Sequence, residues 1–237
     1  MEFLLLKTIY KHAMAEFLWR RFLPPPAFTT ITNKMGLVEA SNRIAEAALE
    51  AKVDYVFWTE MDMILPFDIV PRLFDRMNDD PECGVCGGLY FLRGNANAPQ
   101  PCLYVRPAGP APLTERARAL VGMTSSLFDR CKVSPVSLIA KIGPVYRVDA
   151  IGMGGCLIKR EVFERIGEPW FASRDDGKTK VGQDIWFHAR CREEGIGVYV
   201  DTSVQMDQID TMYGKIGLNE WERWCRSHQA EVSGGYV

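Results

Sequence analysis

Apolar positions along the chain alternate between two periods. Leu37, Ile44 and Ala48 recur at helical spacing inside an alanine- and glutamate-rich run, which predicts a helix over 37–52. The next run, Tyr55-Val56-Phe57-Trp58-Thr59, is aromatic and β-branched and reads as a strand ending at Glu60. Pro66-Phe67-Asp68 opens a helix reaching about Met77, and Gly84 to Phe91 forms another strand. Alternation of strands and helices in this order predicts an α/β fold with a mainly parallel sheet flanked by helices on both faces. Upstream, Leu5 to Phe22 reads as an amphipathic helix stopped by Pro24-Pro25-Pro26, and Phe28 to Thr32 as a short strand.

The pattern breaks from Arg93 to Leu113, where Pro99, Pro101, Pro107, Pro110 and Pro112 predict an irregular excursion of functional-loop length. Ser125 to Lys141 is ambiguous between helix and strand. Val145 to Ala150 reads as a strand, Gly152-Met153-Gly154-Gly155 as a tight backbone segment, and Cys156 to Lys159 as a further strand. Arg160 to Ile166 is a short helix, and Gly182 to Glu194 a longer one ended by Gly195. Gly197 to Asp201 is a strand and Leu218 to His228 a closing helix. With no repeat or low-complexity linker, 1–237 reads as one domain, its core spanning about 27–210 and its C-terminal helix 218–228.

Composition narrows the function. A hydrophobic fraction of 47% with 24% charged residues is that of a globular protein, and a formal net charge of -2 gives no support for a nucleic-acid partner. Seven scattered cysteines argue against a disulfide framework and for a reducing, cytoplasmic setting. Cys83-Gly84-Val85-Cys86 has metal-knuckle spacing but no second pair, and reads as small strand residues. No run approaches the ~20 apolar residues of a membrane span, and the N-terminus lacks the basic region of a signal peptide.

Three stretches carry candidate chemistry. Glu60-Met61-Asp62 places two carboxylates one residue apart at a strand end, and strand alternation would turn both to one face. Oxygen donors on one rim suit a hard divalent cation and the phosphates it carries, although such a pair in isolation is more often a solvated strand end. Ile151-Gly152-Met153-Gly154-Gly155 would let backbone approach a ligand, or simply form a bulge. It does not follow the first strand, so it is a poor dinucleotide fingerprint, which disfavours a Rossmann-like oxidoreductase. Pro169-Trp170-Phe171 followed by Gly182-Gln183-Asp184 could set an aromatic platform beside an acid at a helix start, or supply core aromatics and a capping aspartate.

In order, these pieces resemble family 2-type glycosyltransferases with the GT-A fold. Ala40-Ser41-Asn42-Arg43, Glu60-Met61-Asp62 and Gly87-Gly88-Leu89-Tyr90-Phe91-Leu92-Arg93 look like that family's first half. Gly152 to Arg160, Pro169-Trp170-Phe171, Gly182-Gln183-Asp184 and Val200-Asp201-Thr202-Ser203-Val204 look like its second, so the resemblance covers roughly 35 to 210. It implies a single-domain, Rossmann-like mixed sheet and a nucleotide-diphospho-sugar donor site at the sheet's carboxyl edge. It also implies a divalent cation, Mn2+ or Mg2+, on Asp62, Glu60 and Gln208. Asn42, Arg43, Glu60, Asp62, Gly154 and Gly155 would bind the donor, Trp170 would form the acceptor-side wall, and Asp184 would be the catalytic base.

The chain departs from the family at Glu60, where aspartate is usual, and at Gln183, where an acid is usual. Gln208 stands where a metal-binding histidine is common, with Asp207 and Asp210 nearby. Only Phe3 to Leu6 could serve as the first strand, so that strand is short or missing, and a second chain could cover the sheet edge left there. The resemblance therefore leads to a sugar transferase acting on an unknown acceptor hydroxyl. Its competitor is a GT-A-like sugar-nucleotide or glycan binding protein with an impaired catalytic site.

Overall fold

A computed structural model of the chain describes residues 3–5, 36–60, 62–92, 100–104, 145–175, 180–210 and 214–227. The elements follow in chain order: β1 (Phe3–Leu5), α1 (Leu37–Ala51), β2 (Tyr55–Thr59), β3 (Met63–Ile64), α2 (Ile69–Asp79), β4 (Cys83–Leu89), β5 (Phe91–Leu92), β6 (Gln100–Pro101) and β7 (Leu103–Tyr104). After these come β8 (Val145–Val148), β9 (Ala150–Ile151), β10 (Gly155–Lys159), α3 (Arg160–Ile166), β11 (Arg174–Asp175), β12 (Lys180–Val181) and α4 (Gln183–Glu193). The last are β13 (Gly197–Gln205), β14 (Asp207–Asp210), β15 (Gly214–Ile216) and α5 (Leu218–Ser227).

Six strands form the main sheet in the order β1-β2-β10-β4-β13-β8. Pairing is parallel for β1 with β2 and for β4 with β13, and antiparallel at the other three junctions. Four strands thus run one way and β10 and β8 run against them. The sheet is therefore mixed, and the mainly parallel pairing expected from the sequence is not found, because reversed β10 is inserted between β2 and β4 and reversed β8 closes the edge beside β13. The short first strand is present as β1, in register with Tyr55 to Phe57.

Alternation along the central strands sorts side chains onto two faces. Val56 and Trp58 of β2, with Cys156 and Ile158 of β10, join Ile44, Ala45 and Ala48 of α1 and Val162, Phe163 and Ile166 of α3 in one cluster. Phe57 and Leu157, between them in sequence, join Ile69, Val70, Leu73 and Met77 of α2 in the other. Cys83 and Cys86 are buried strand residues of β4, as their spacing without partners suggested.

Several boundaries differ from the sequence expectations. Leu5 belongs to β1 rather than opening a helix, while 6–22, the strand at 28–32 and the ambiguous 125–141 lie outside the described residues. Within the proline-rich excursion, 100–104 forms strands, β6 pairing with β5 and β7 with β9. The strand expected to end at Asp201 runs on to Gln205 as β13.

Candidate functional site

Parallel β2, β4 and β13 end on the same side of the sheet, and reversed β10 begins there. Glu60 follows β2, Tyr90 follows β4, Met206 to Gln208 follow β13, and Gly152 to Gly154 lead into β10, where Gly155 pairs with Thr59. Ligands of open α/β sheets bind at this edge because loops diverge from the strand ends there.

The two acids of the Glu60–Asp62 pair do not share a strand face. β2 stops at Thr59, and the Met63 N–H bonds to the Glu60 carbonyl at 3.4 Å, with Asp62 in a turn. Strand alternation therefore does not extend to them, and the chain assigns them different partners. Asp62 lies beside a second sheet in which Met63 of β3 pairs with Gln208 of β14. The Ile209 N–H donates to the Asp62 carbonyl at 2.7 Å, and Gln208 Nε2 donates to Asp62 Oδ2 at 3.1 Å. Glu60 instead lies near a buried cluster holding Tyr90 and Cys102, where its charge adds to the upward shift of both.

That cluster is assembled by the 100–104 strap. The Cys102 N–H bonds to the Tyr90 carbonyl and the Gly152 N–H to the Cys102 carbonyl, while Asp149 N–H reaches the Tyr104 carbonyl. Cys102 Sγ lies 3.7 Å from the Tyr104 hydroxyl. A Cβ on Gly152 would fall 1.7 Å from the Tyr90 hydroxyl, so glycine is required by the packing of this cluster. Burial pushes the Cys102 thiol up to about 12, and Tyr90 and Tyr104 well above their ordinary range. The charges of Glu60 and Asp184 both add to the shifts at Tyr90 and Cys102, which brings these two carboxylates to one neighbourhood.

Asp184 stands in the first turn of α4, after the N-capping Gly182. Its Oδ1 accepts the Ile185 N–H at 2.9 Å. Burial nevertheless outweighs that bond and raises the carboxyl above the usual carboxylate range. A carboxylate so desolvated is a better proton acceptor than one in water. His188, one turn on, bonds through Nδ1 to the Asp184 carbonyl at 2.7 Å, and burial lowers its imidazole to about 4, so it stays neutral.

Other expected site residues have structural contacts. Asn42 Nδ2 donates to the Phe171 carbonyl at 2.8 Å, and its Oδ1 accepts the Phe171 N–H at 3.0 Å. Arg43 is exposed and pairs with Glu46 on the same helix. Trp170 is 6% exposed, and its indole N–H donates to the Phe163 carbonyl at 2.9 Å, so it packs in the core rather than forming an open wall. The space beside Gly154 is filled by Met63 and Tyr90, and that beside Gly155 by Met206 and Leu65, so both glycines accommodate protein side chains. Tyr90 stands in the Gly87 to Arg93 motif, whereas no motif in the sequence marks Cys102 or Tyr104.

A divalent cation can be tested against the donor set. Gln208 is 4% exposed; its Nε2 faces the Asp62 carboxylate, and its Oε1 is buried without a hydrogen-bond partner. Both side chains carry hard oxygen donors of the type Mg2+ takes. The amide turns its N–H, not its oxygen, to the carboxylate, so a cation would require the amide to reverse. Among the described residues no three His, Cys, Asp or Glu side chains gather as a metal group. Among them, too, no helix is long and apolar enough to cross a membrane.

No protein-family model matches the chain, and no curated protein matches it in sequence. Solved structures do match. The crystal structure of A197 from STIV aligns with a TM-score of 0.56 at 14% identity, covering 92% of this chain and 95% of that one. GalNAc-T7 with UDP, GalNAc and Mn2+ gives a TM-score of 0.46 at 12% identity, covering 99% of this chain and 43% of that one. Apo UDP-glucose pyrophosphorylase gives 0.41 at 9% identity, covering 97% and 82% respectively. Scores at the level of these last two do not establish a shared fold. The match to A197 spans nearly the whole of both chains, and what it establishes is the mixed-sheet α/β fold.

Proposed function

We propose that the protein is a GT-A-type glycosyltransferase, moving a sugar from a nucleoside-diphosphate donor to an acceptor hydroxyl. The observation that carries this reading is the placement of the buried Asp184 on α4, which packs against β9 just before Gly152, at the edge where Asp62 meets Gln208. The ordered motifs from Ala40 to Val204 support it from the sequence side.

Asp184 would accept the acceptor's hydroxyl proton as that oxygen bonds to the anomeric carbon. The bond from that carbon to the diphosphate breaks, and the electron pair leaves with the nucleoside diphosphate. Asp62 and Gln208, with Glu60 two residues before Asp62, would hold a divalent cation. Bound there, the cation would neutralise charge on the departing diphosphate. Tyr90, Cys102 and Tyr104 keep water from the rear of the site and, being neutral, leave Asp184 as a base.

A second reading is favoured by one contact. The Gln208 N–H already satisfies Asp62, so a cation must compete with a hydrogen bond. On that reading the chain binds sugar nucleotide or glycan without turning it over. Incubation with a panel of sugar nucleotides and Mg2+ or Mn2+ separates the two. Release of nucleoside diphosphate that is lost in Asp184→Asn supports transfer, and binding without release supports the second reading. Absence of both binding and release rejects the two together.

A further inference from the structure

Two consecutive residues of α1 hold the two ends of the segment that leads to Asp184. Asn42 grips the entrance, bonding both the N–H and the carbonyl of Phe171. Ser41 grips the exit: its Oγ lies 2.7 Å from Gln183 Oε1, with Ser41 1% and Gln183 6% exposed. The same hydroxyl lies 2.8 Å from the Leu37 carbonyl, so one proton is shared between two acceptors and the side chain is held from both sides. The Phe171 ring in turn stacks on Phe187 of α4 at 4.8 Å and 12°, three residues past Asp184.

Gly182 supplies no side-chain cap to α4, and within the first turn Asp184 Oδ1 accepts the Ile185 N–H. The Ser41 and Asn42 contacts tie that turn from outside the helix. Neutral Gln183 suits the arrangement. A glutamate there would bury a second negative charge one residue from Asp184, with only a hydroxyl to meet it.

We infer that Ser41 and Asn42 are positioning residues for Asp184, clamping both ends of the 171–183 segment so that the first turn of α4 is fixed against α1. This rests on the reading of Asp184 as the base. Neither side chain is assigned a contact with substrate. The ionisable groups facing the same cluster are Glu60 after β2, Tyr90 after β4, and Cys102 and Tyr104 on the strap, while His188 bonds to the Asp184 carbonyl.

The test is a carboxyl 13C NMR titration of Asp184 in the full chain, for the wild type and for Ser41→Ala, Asn42→Ala and Ser41→Thr. Loosening either end admits water to Asp184, so both alanine variants should lower its midpoint by about half a unit or more. Ser41→Thr, which keeps the hydroxyl, should restore it. The Phe171 amide should exchange faster in Asn42→Ala. Should Asn42→Ala fail to fold, Ser41→Ala with its threonine rescue decides alone. A folded Ser41→Ala with an unmoved midpoint overturns the proposal and leaves Ser41 a stability residue. The titration needs no substrate, so it judges the clamp even if no sugar nucleotide is turned over, an outcome that would reject the base reading separately. If transfer is found, kcat should fall about tenfold in Ser41→Ala with donor KM unchanged.

Discussion

Gln208 donates its amide N–H to the Asp62 carboxylate across 3.1 Å and keeps its own oxygen buried and unpartnered. Backbone pairing of Met63 with Gln208 holds the two side chains together whether or not a ligand is present. An amide satisfies a carboxylate without cancelling its charge, so the corner retains an attraction for cations.

Cation binding at this corner should be weak and selective for hard ions. Gln208→His replaces an amide by imidazole and should tighten Mn2+ by about tenfold or more, whereas Asp62→Ala should abolish binding. Electron paramagnetic resonance of free Mn2+ measures both, and equal Mn2+ affinity in wild type and Asp62→Ala would remove Asp62 from the site.

Asp184 should be a destabilising residue at neutral pH. Below the ordinary carboxyl value of about 3.9 both folded and unfolded chains hold its proton, and it contributes nothing. As pH rises the unfolded chain ionises first, because the folded carboxyl is raised by burial, so folding becomes less favourable and stays so at pH 7. Asp184→Asn should therefore raise the melting temperature at pH 7, leave it unchanged near pH 3, and stop transfer while sparing donor binding. Thermal melts at the two pH values provide the check.

Asp201 should show the opposite dependence. Burial alone would raise its carboxyl, but Ser203 and Arg76 outweigh burial and hold it below the usual range. Its stabilisation is present above the unfolded value and is lost as pH falls through the folded one. Arg76→Ala, which leaves the 1% exposed Asp201 without its guanidinium, should cost about 1–3 kcal/mol at pH 7. The cost should shrink in strong acid, as urea unfolding at each pH would reveal.

Gly152→Ala should destabilise the strap. The added Cβ would meet the Tyr90 hydroxyl at 1.7 Å and Cys102 Sγ at 2.5 Å, both buried. Overpacking of this kind costs about 1–3 kcal/mol, and Tyr90→Phe in the same chain should recover part of it. Recovery would assign the clash to the hydroxyl, whereas an unchanged double variant would place it at Cys102.

Much of the fold was legible because it depends on local periodicity. The helices at 37–51, 69–79, 160–166 and 183–193 lie close to where apolar spacing, Pro66 and Gly195 put them. The site was legible in part. Asp62 and Gln208 do meet, but the shared strand face expected of Glu60 and Asp62 is absent because β2 stops at Thr59. Asn42 and Trp170, read as ligand contacts, hold backbone carbonyls instead, a distinction invisible in a motif because polar side chains serve either purpose.

By itself the sequence determined the main helices and the longer strands β2, β4, β8, β10 and β13, and a near-neutral charge, because period and composition are properties of neighbouring residues. Tertiary structure alone decided that β10 runs backwards between β2 and β4, so that Gly152 to Gly155 begin where Thr59 and Leu89 end. It also decided that Gln208 partners Asp62 and that Ser41 reaches Gln183. Such contacts join residues far apart in the chain, and the pairing of long-range partners depends on how whole elements pack rather than on any local pattern.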